Sequence, residues 1–254
     1  MDTLIETLKL NAPLLVSAVL ITVLGSAISI VLAMTLAIPT AFARLSKNVL
    51  LRSVSSFYVE TIRGTPLLLQ LLVWLYGARL LLIYLFNFNP SIALYNLLTY
   101  FNSNSLMPAF DVTGLFFAVI GLSFNYGAYL SEVIRAGIEA VDRGQVEAAQ
   151  ALGLSQLQIA RYVTLPQALR IMIPPLTNNF ITLVQDSSFW YVLGVYEITL
   201  TITTLVQAIS ISNQVTRWGL FTFELALYFV ICYSLAFASQ RIEARLSKGV
   251  AGAN

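Results

Sequence analysis

Long apolar runs alternate with short polar segments along this chain, and five of the runs are long enough to cross a bilayer as helix. Crossing takes roughly 20 mostly apolar residues, because every backbone polar group must be satisfied inside the segment. The first run is Leu14 to Ile38, ended by Pro39 and followed by Arg44, Lys47 and Arg52. The second begins at Thr65-Pro66, an N-cap followed by proline in the first turn, and reaches about Phe86. The third is Gly114 to Ile134. The fourth starts near Pro174-Pro175 and reaches about Leu193, and the fifth covers about Gly219 to Ala238, closed by Arg241, Arg245 and Lys248. This pattern predicts an all-α integral membrane protein with about five transmembrane helices, and a single transmembrane domain over residues 1–254.

Composition agrees: of 254 residues 58% are hydrophobic and 10% charged, with a mean hydropathy of +0.80, more apolar surface than a soluble domain can hide. A formal charge of +2 gives no reason to expect nucleic acid. Without His and with one cysteine, Cys232, the chain has no imidazole catalysis, no internal disulfide and no His or multi-Cys metal site. Asp2 and Glu6 occupy positions where a cleaved signal peptide carries positive charge, so no processing is expected.

The basic residues set an expected orientation, since Lys and Arg accumulate in cytoplasmic loops near span ends. Arg44, Lys47, Arg52, Arg135, Arg143, Arg161, Arg170 and the C-terminal three fall on one side of a five-span layout, and no Lys or Arg lies between Arg79 and Arg135. The N-terminus is therefore expected outside and the C-terminus in the cytosol. Lys9, the segment carrying Arg217 and the Phe86 to Asp111 loop are expected outside.

On that layout residues 139–170 form a cytosolic insert. Within it GQVEAAQAL favours helix, Gly153 breaks it, and SQLQIARYV makes a second helix, capped by Ser155 and stopped before Pro166. Two short helices meeting at a glycine make a compact knob. The spacing of Glu147-Ala148-Ala149, Gly153, Val163 and Leu165-Pro166 resembles the EAA loop of permease subunits of bacterial ABC importers. ETIRGTPLLLQL from Glu60, NYGAYLSEVIRAGI from Asn125 and the stretch Arg143 to Ser188 are similar to the polar amino acid branch of that group.

The resemblance implies a subunit of the bacterial inner membrane that pairs with a second permease chain, identical or sister. It further implies two ATP-binding subunits docked on the EAA loops, and an extracytoplasmic binding protein that delivers a polar amino acid. Glu147, Ala148, Ala149, Gly153, Leu165 and Pro166 would form the docking joint. Independently, no GxxxxGK[ST] phosphate loop occurs, so the chain is not itself a P-loop ATPase; no cofactor is expected on it, and the resemblance implies that ATP and Mg belong to its partners. The chain is expected to be a transport subunit rather than an enzyme.

A pathway needs polar groups at membrane depth, where an ionisable residue marks function by default. Asp186 is 11 residues past Pro175, about 16 Å into a core of about 30 Å. Asn178, Asn179, Thr182, Gln185, Asp186 and Phe189 share an arc of about 120° on that helix. The stripe is either a seam between helices or the lining of a pathway. The absence of Lys or Arg at comparable depth favours a carboxylate that meets a substrate's cationic group. The resembling group usually reads Lys-Asp-Thr-Ser here, whereas this chain reads Gln185-Asp186-Ser187-Ser188, a loss of positive charge that favours basic or neutral cargo. An ion-coupled carrier using Asp186 is the alternative.

Glu60 with Arg63 and Glu132 with Arg135 have the spacing of intrahelical ion pairs. Asn125 and Tyr126 lie inside the third span, either packed or facing a pathway. Gly64-Thr65-Pro66 is expected to break an interfacial helix from the second span. The aromatic-rich loop from Phe86 to Asp111 is expected to rest at the outer interface, and the role of Glu197 with the TLTITTLVQAISIS stretch is left open.

Overall fold

The computed structural model describes residues 2–87, 92, 112–209 and 213–251, and among these residues no strand forms. A short α1 (Asp2–Leu10) leads into α2 (Ala12–Leu45), followed by α3 (Val49–Arg63). The next span is α4 (Leu67–Leu72), a π-helical turn (Val73–Ala78) and α5 (Arg79–Phe86). α6 is Val112–Glu139 and α7 Arg143–Ala151. α8 (Gln156–Ile159) runs through a π turn (Ala160–Thr164) into α9 (Leu165–Asp186) and a 3-10 segment (Ser187–Leu193). α10 (Ile198–Ala208) and α11 (Gln214–Ala251) complete the chain.

Among the described residues four helices are long and apolar enough to cross a membrane: Ala12–Leu45, Leu67–Leu85, Thr113–Glu139 and Gln214–Arg241. A fifth crossing is a bent pair, Gln156–Leu193 with Ile198–Ala208, at 50° to each other. The protein is thus an all-α, multi-pass membrane fold.

Small residues set the packing. Ala18, Thr22, Ser26, Ser29, Ala33, Ala37 and Ala41 recur every three or four positions on α2 and are buried, so its backbone comes close to α6, the most extensive helix contact in the molecule. Around that pair, Leu71, Phe117, Leu122, Leu130, Leu183 and Trp190 fill the main core. At Gly137 on α6 a Cβ would lie 2.1 Å from Met172 Cγ of α9, so only glycine permits that approach. A smaller core joins α2, α10 and α11 through Leu15, Ile198, Ile202 and Leu220. There Thr3 and Thr216 share a 2.8 Å hydrogen bond, placing the N-terminal segment beside the start of α11. Arg44 and Glu132 pair elsewhere, so α2 and α6 bring their charged ends together.

Asn125 proves to be packing rather than lining. It is buried and donates to Gln70 Oε1 at 2.9 Å, while Gln70 Nε2 donates to the carbonyls of Ile62 and Thr65 at 2.7 and 3.0 Å. This clamp holds the break at Gly64-Thr65-Pro66 against α6. Tyr58 of α3 donates to the Phe124 carbonyl at 2.6 Å, its hydroxyl kept protonated because burial pushes its pKa up to about 12.

The helix that carries the expected fourth span starts upstream of it. Pro174-Pro175 lie inside a helix that begins before them. Each proline removes an N–H and strains the carbonyl four residues back. Pro174, Pro175, Arg170 and Ile171 are all exposed, so the freed carbonyls of Arg170 and Ile171 are not trapped in the core. Pro166, expected to stop the second cytosolic helix, does not stop it: it follows the π turn inside the continuous run Gln156–Leu193. Most of the Phe86 to Asp111 loop lies outside the described residues.

Candidate functional site

One set of expected residues lies at the N-terminal end of a continuous helical element, Gln156 to Leu193, and the other lies along it. The first set surrounds the α7–α8 corner. Asp142 caps α7 by accepting from the Gly144 N–H at 2.6 Å. At its far end Gly153 adopts φ +77°, the left-handed conformation that glycine tolerates. The Gly153 N–H reaches the Gln150 carbonyl at 2.9 Å and the Leu154 N–H the Ala149 carbonyl at 3.2 Å, the paired bonds of a Schellman stop. Ser155 and Gln158 then form a capping box that starts α8. Gln167 donates to Gln145, tying α7 back to α9.

Glu147, Ala148, Gly153, Leu165 and Pro166 are exposed at this corner. Ala149 is not: it is 6% exposed and faces the chain's own interior, which corrects the expectation that both alanines meet a partner. Ala149 therefore lies on the inward face of α7, 100° around the helix from the exposed Ala148. Sequence reasoning missed the apolar residues that join the surface instead, Leu152, Leu157 and Tyr162, exposed by 80%, 79% and 64%.

The second set is the polar stripe of α9. Asn178 and Gln185 are exposed, while Asn179, Thr182 and Asp186 are half-buried. Asn179 donates to the Pro175 carbonyl at 2.8 Å and Thr182 to the Asn178 carbonyl at 3.0 Å, so these side chains bond their own helix rather than a neighbouring one. Ser187 leaves the set: it is fully buried, its hydroxyl on the Val184 carbonyl at 2.7 Å. Asp186 is not alone, because Tyr126 of α6 donates to its Oδ2 at 2.7 Å. That contact spans sixty positions of sequence.

The charged end of α6 is a network. Glu132 pairs with both Arg44 of α2 and Arg135, the latter at 2.6 Å, and Arg135 also meets Glu139. The expected Glu132–Arg135 pair is present. The Glu60–Arg63 pair is not found among the described residues, and Arg63 instead lies over the Tyr129 ring, 5.6 Å from its centroid. Glu197 is fully buried and caps α10, accepting from the Thr199 and Leu200 N–H groups at 2.8 Å and from the Tyr228 hydroxyl at 2.9 Å.

Residues 29–248 match the family described as binding-protein-dependent transport system inner membrane component. The chain belongs to that family. The permease is accordingly a multi-pass protein of the bacterial inner membrane, as the EAA spacing led one to expect. It is 36% identical over 241 residues to the L-cystine transport system permease protein TcyB of Bacillus subtilis, covering 94% of this chain and 89% of that one. It is 31% identical to the probable glutamine ABC transporter permease protein GlnP of the same organism, over 89% and 90% of the two chains. A crystal structure of an amino acid ABC transporter with histidines has a TM-score of 0.75 and 28% identity, covering 94% of the permease and 97% of that chain. The inward-facing MetNI methionine ABC transporter has a TM-score of 0.66 at 19% identity, over 92% and 96%, and shares the fold.

Proposed function

We propose that this permease is the transmembrane subunit of an ATP-driven importer of polar amino acids, catalysing no covalent chemistry itself. The observation that carries this reading is the continuity of the helix from Gln156 to Leu193. A force applied at the Gly153 corner reaches the polar stripe along one unbroken helical run rather than through a loop. Relatives named for cystine and glutamine transport support a polar amino acid as cargo.

In this reading a pair of ATPase subunits docks on Glu147, Ala148, Leu152, Leu157 and Tyr162, an open surface with apolar area at its centre. ATP and Mg are held by those partners. Asn178, Asn179, Thr182, Gln185 and Asp186 line the pathway, facing a second permease chain across it. That assignment fits the exposure of Asn178 and Gln185 and the bonds of Asn179 and Thr182 to their own helix, while Tyr126 orients Asp186 and Gln185 also meets Cys232 of α11. The N-terminus lies outside and the C-terminus in the cytosol, and a binding protein delivers cargo on the outer side.

Copurification tests the docking. The tagged permease, extracted from its host in mild detergent, is expected to bring a P-loop ATPase with it and to lose that ATPase with Gly153→Pro. Recovery of the same ATPase with both chains would place docking elsewhere.

A further inference from the structure

Glu224 of α11 belongs to neither set of residues described above. It lies ten positions inside the Gln214–Arg241 span, about 15 Å along the helix. A carboxylate at that depth is costly unless another group answers its charge. Thr199 of α10 hydrogen-bonds to it, and among the described residues no Lys or Arg forms an ion pair with it. Its neighbour Glu197 is already satisfied by two backbone N–H groups and Tyr228. Of the two acidic groups here, one completes a helix cap and the other retains free lone pairs.

Glu224 opens onto a groove of about 650 Å³ between α9 and α11, a size typical of small-molecule sites. Gln185 of α9 and Ser188 of the 3-10 segment line the groove with neutral polar groups, Tyr228 and Tyr233 line it with aromatic rings, and Cys232 lies in its wall. Asp186 is absent from the lining, being held by Tyr126. The lining contains one negative charge and no positive one. A ligand that brings an ammonium group balances that charge, with help from the aromatic faces, whereas a ligand of net negative charge is repelled.

We propose that this groove is the amino-acid station of the pathway, where the Glu224 carboxylate accepts hydrogen bonds from the ligand's ammonium group while Gln185 and Ser188 bond its polar remainder. The inference rests on the importer reading and makes it more specific: the recognising carboxylate is Glu224, and the favoured cargo is neutral or basic. A lipid amine is the other source of an ammonium group, but its headgroup belongs at the interface rather than near mid-membrane.

Cys232 supplies the readout, being the only cysteine in the chain. Its alkylation by N-ethylmaleimide is followed by mass on this chain, in the assembled complex in nanodiscs, with graded L-lysine, L-glutamine or L-glutamate. L-Lysine and L-glutamine are expected to slow alkylation and L-glutamate to leave it unchanged. Glu224→Gln is expected to raise the protecting concentrations about tenfold or more, the effect of losing one charge-assisted hydrogen bond. Glu224→Asp, in a complex that elutes like the wild type, is expected to keep most of the protection. Equal protection in Glu224→Gln, protection by L-glutamate matching L-lysine, or a Glu224→Asp complex as weak as Glu224→Gln would each overturn the proposal. Uptake in the same preparation separates the two levels of the account. ATP-dependent uptake that Glu224→Gln leaves intact removes Glu224 and spares the importer reading, while wild-type uptake indifferent to ATP removes both.

Discussion

Replacing Gly153 with alanine isolates the backbone contribution of the docking corner. A Cβ built at Gly153 meets nothing within 4 Å, so the substitution adds no clash. What it adds is the cost of holding an L-residue at φ +77°, about 1–2 kcal/mol. At about 1.4 kcal/mol per tenfold, the equilibrium between the ordered corner and a frayed one shifts by roughly 5- to 30-fold. Gly153→Pro goes further, because proline fixes φ near −65° and removes the N–H that bonds the Gln150 carbonyl at 2.9 Å. Gly194 is the matched control: it has φ +76°, equally open space, and its N–H on the Tyr191 carbonyl at 3.1 Å, but it sits at the other end of the same helical element. The assay is retention of the ATPase subunit by the tagged permease, together with ATP hydrolysed per amino acid imported. Gly153→Ala should weaken retention several-fold and Gly153→Pro should abolish it, whereas Gly194→Ala should lower the melting temperature in detergent and leave retention unchanged. Equal loss of retention from Gly153→Ala and Gly194→Ala would refute the reasoning, since both carry the same backbone penalty.

Asp186→Asn should reduce uptake of cationic amino acids most, and Tyr126→Phe should reproduce part of that loss by freeing the carboxylate; an equal, small effect on all substrates would mark the stripe as a seam. Glu132→Gln leaves Arg44 and Arg135 facing each other without their shared anion, and a loss of about 1–3 kcal/mol is expected after solvent screening, read as a lower melting temperature in detergent. Arg44→Ala should cost less, because Arg135 remains with Glu132. A protease confined to the cytosolic side should cut at Arg143 and Arg161 and spare the Phe86 to Asp111 loop; cutting in that loop would reverse the orientation.

The helical spans were legible because bilayer thickness makes their length and apolarity a local property of the sequence. The corner at Gly153 was legible for the same reason, since a helix stop needs a glycine and a cap within a few residues. The continuation of the helix upstream of the fourth span was not, because Pro174-Pro175 ordinarily signal a first turn. Here Arg170 and Ile171 are exposed, so the carbonyls left without partners are not sealed in the core. Tyr126 as the partner of Asp186, and Gln70 as the partner of Asn125, depend on helices brought together from distant sequence, which no local pattern encodes. The inward turn of Ala149 beside an exposed Ala148 depends on how α7 packs against α8 and the π turn that follows it. Glu224 is different in kind. The rule that singled out Asp186, an ionisable residue near mid-span, applies to it equally, and it passed unnoticed because no polar stripe accompanies it on α11.

The most direct test of the account is amino-acid uptake into proteoliposomes holding the permease with its copurifying ATPase and binding protein. The account predicts uptake that requires ATP on the side of the EAA corner, persists without proton or sodium gradients, and disappears with Gly153→Pro. Uptake driven by an ion gradient in the permease alone, lost with Asp186→Asn and indifferent to ATP, would contradict it.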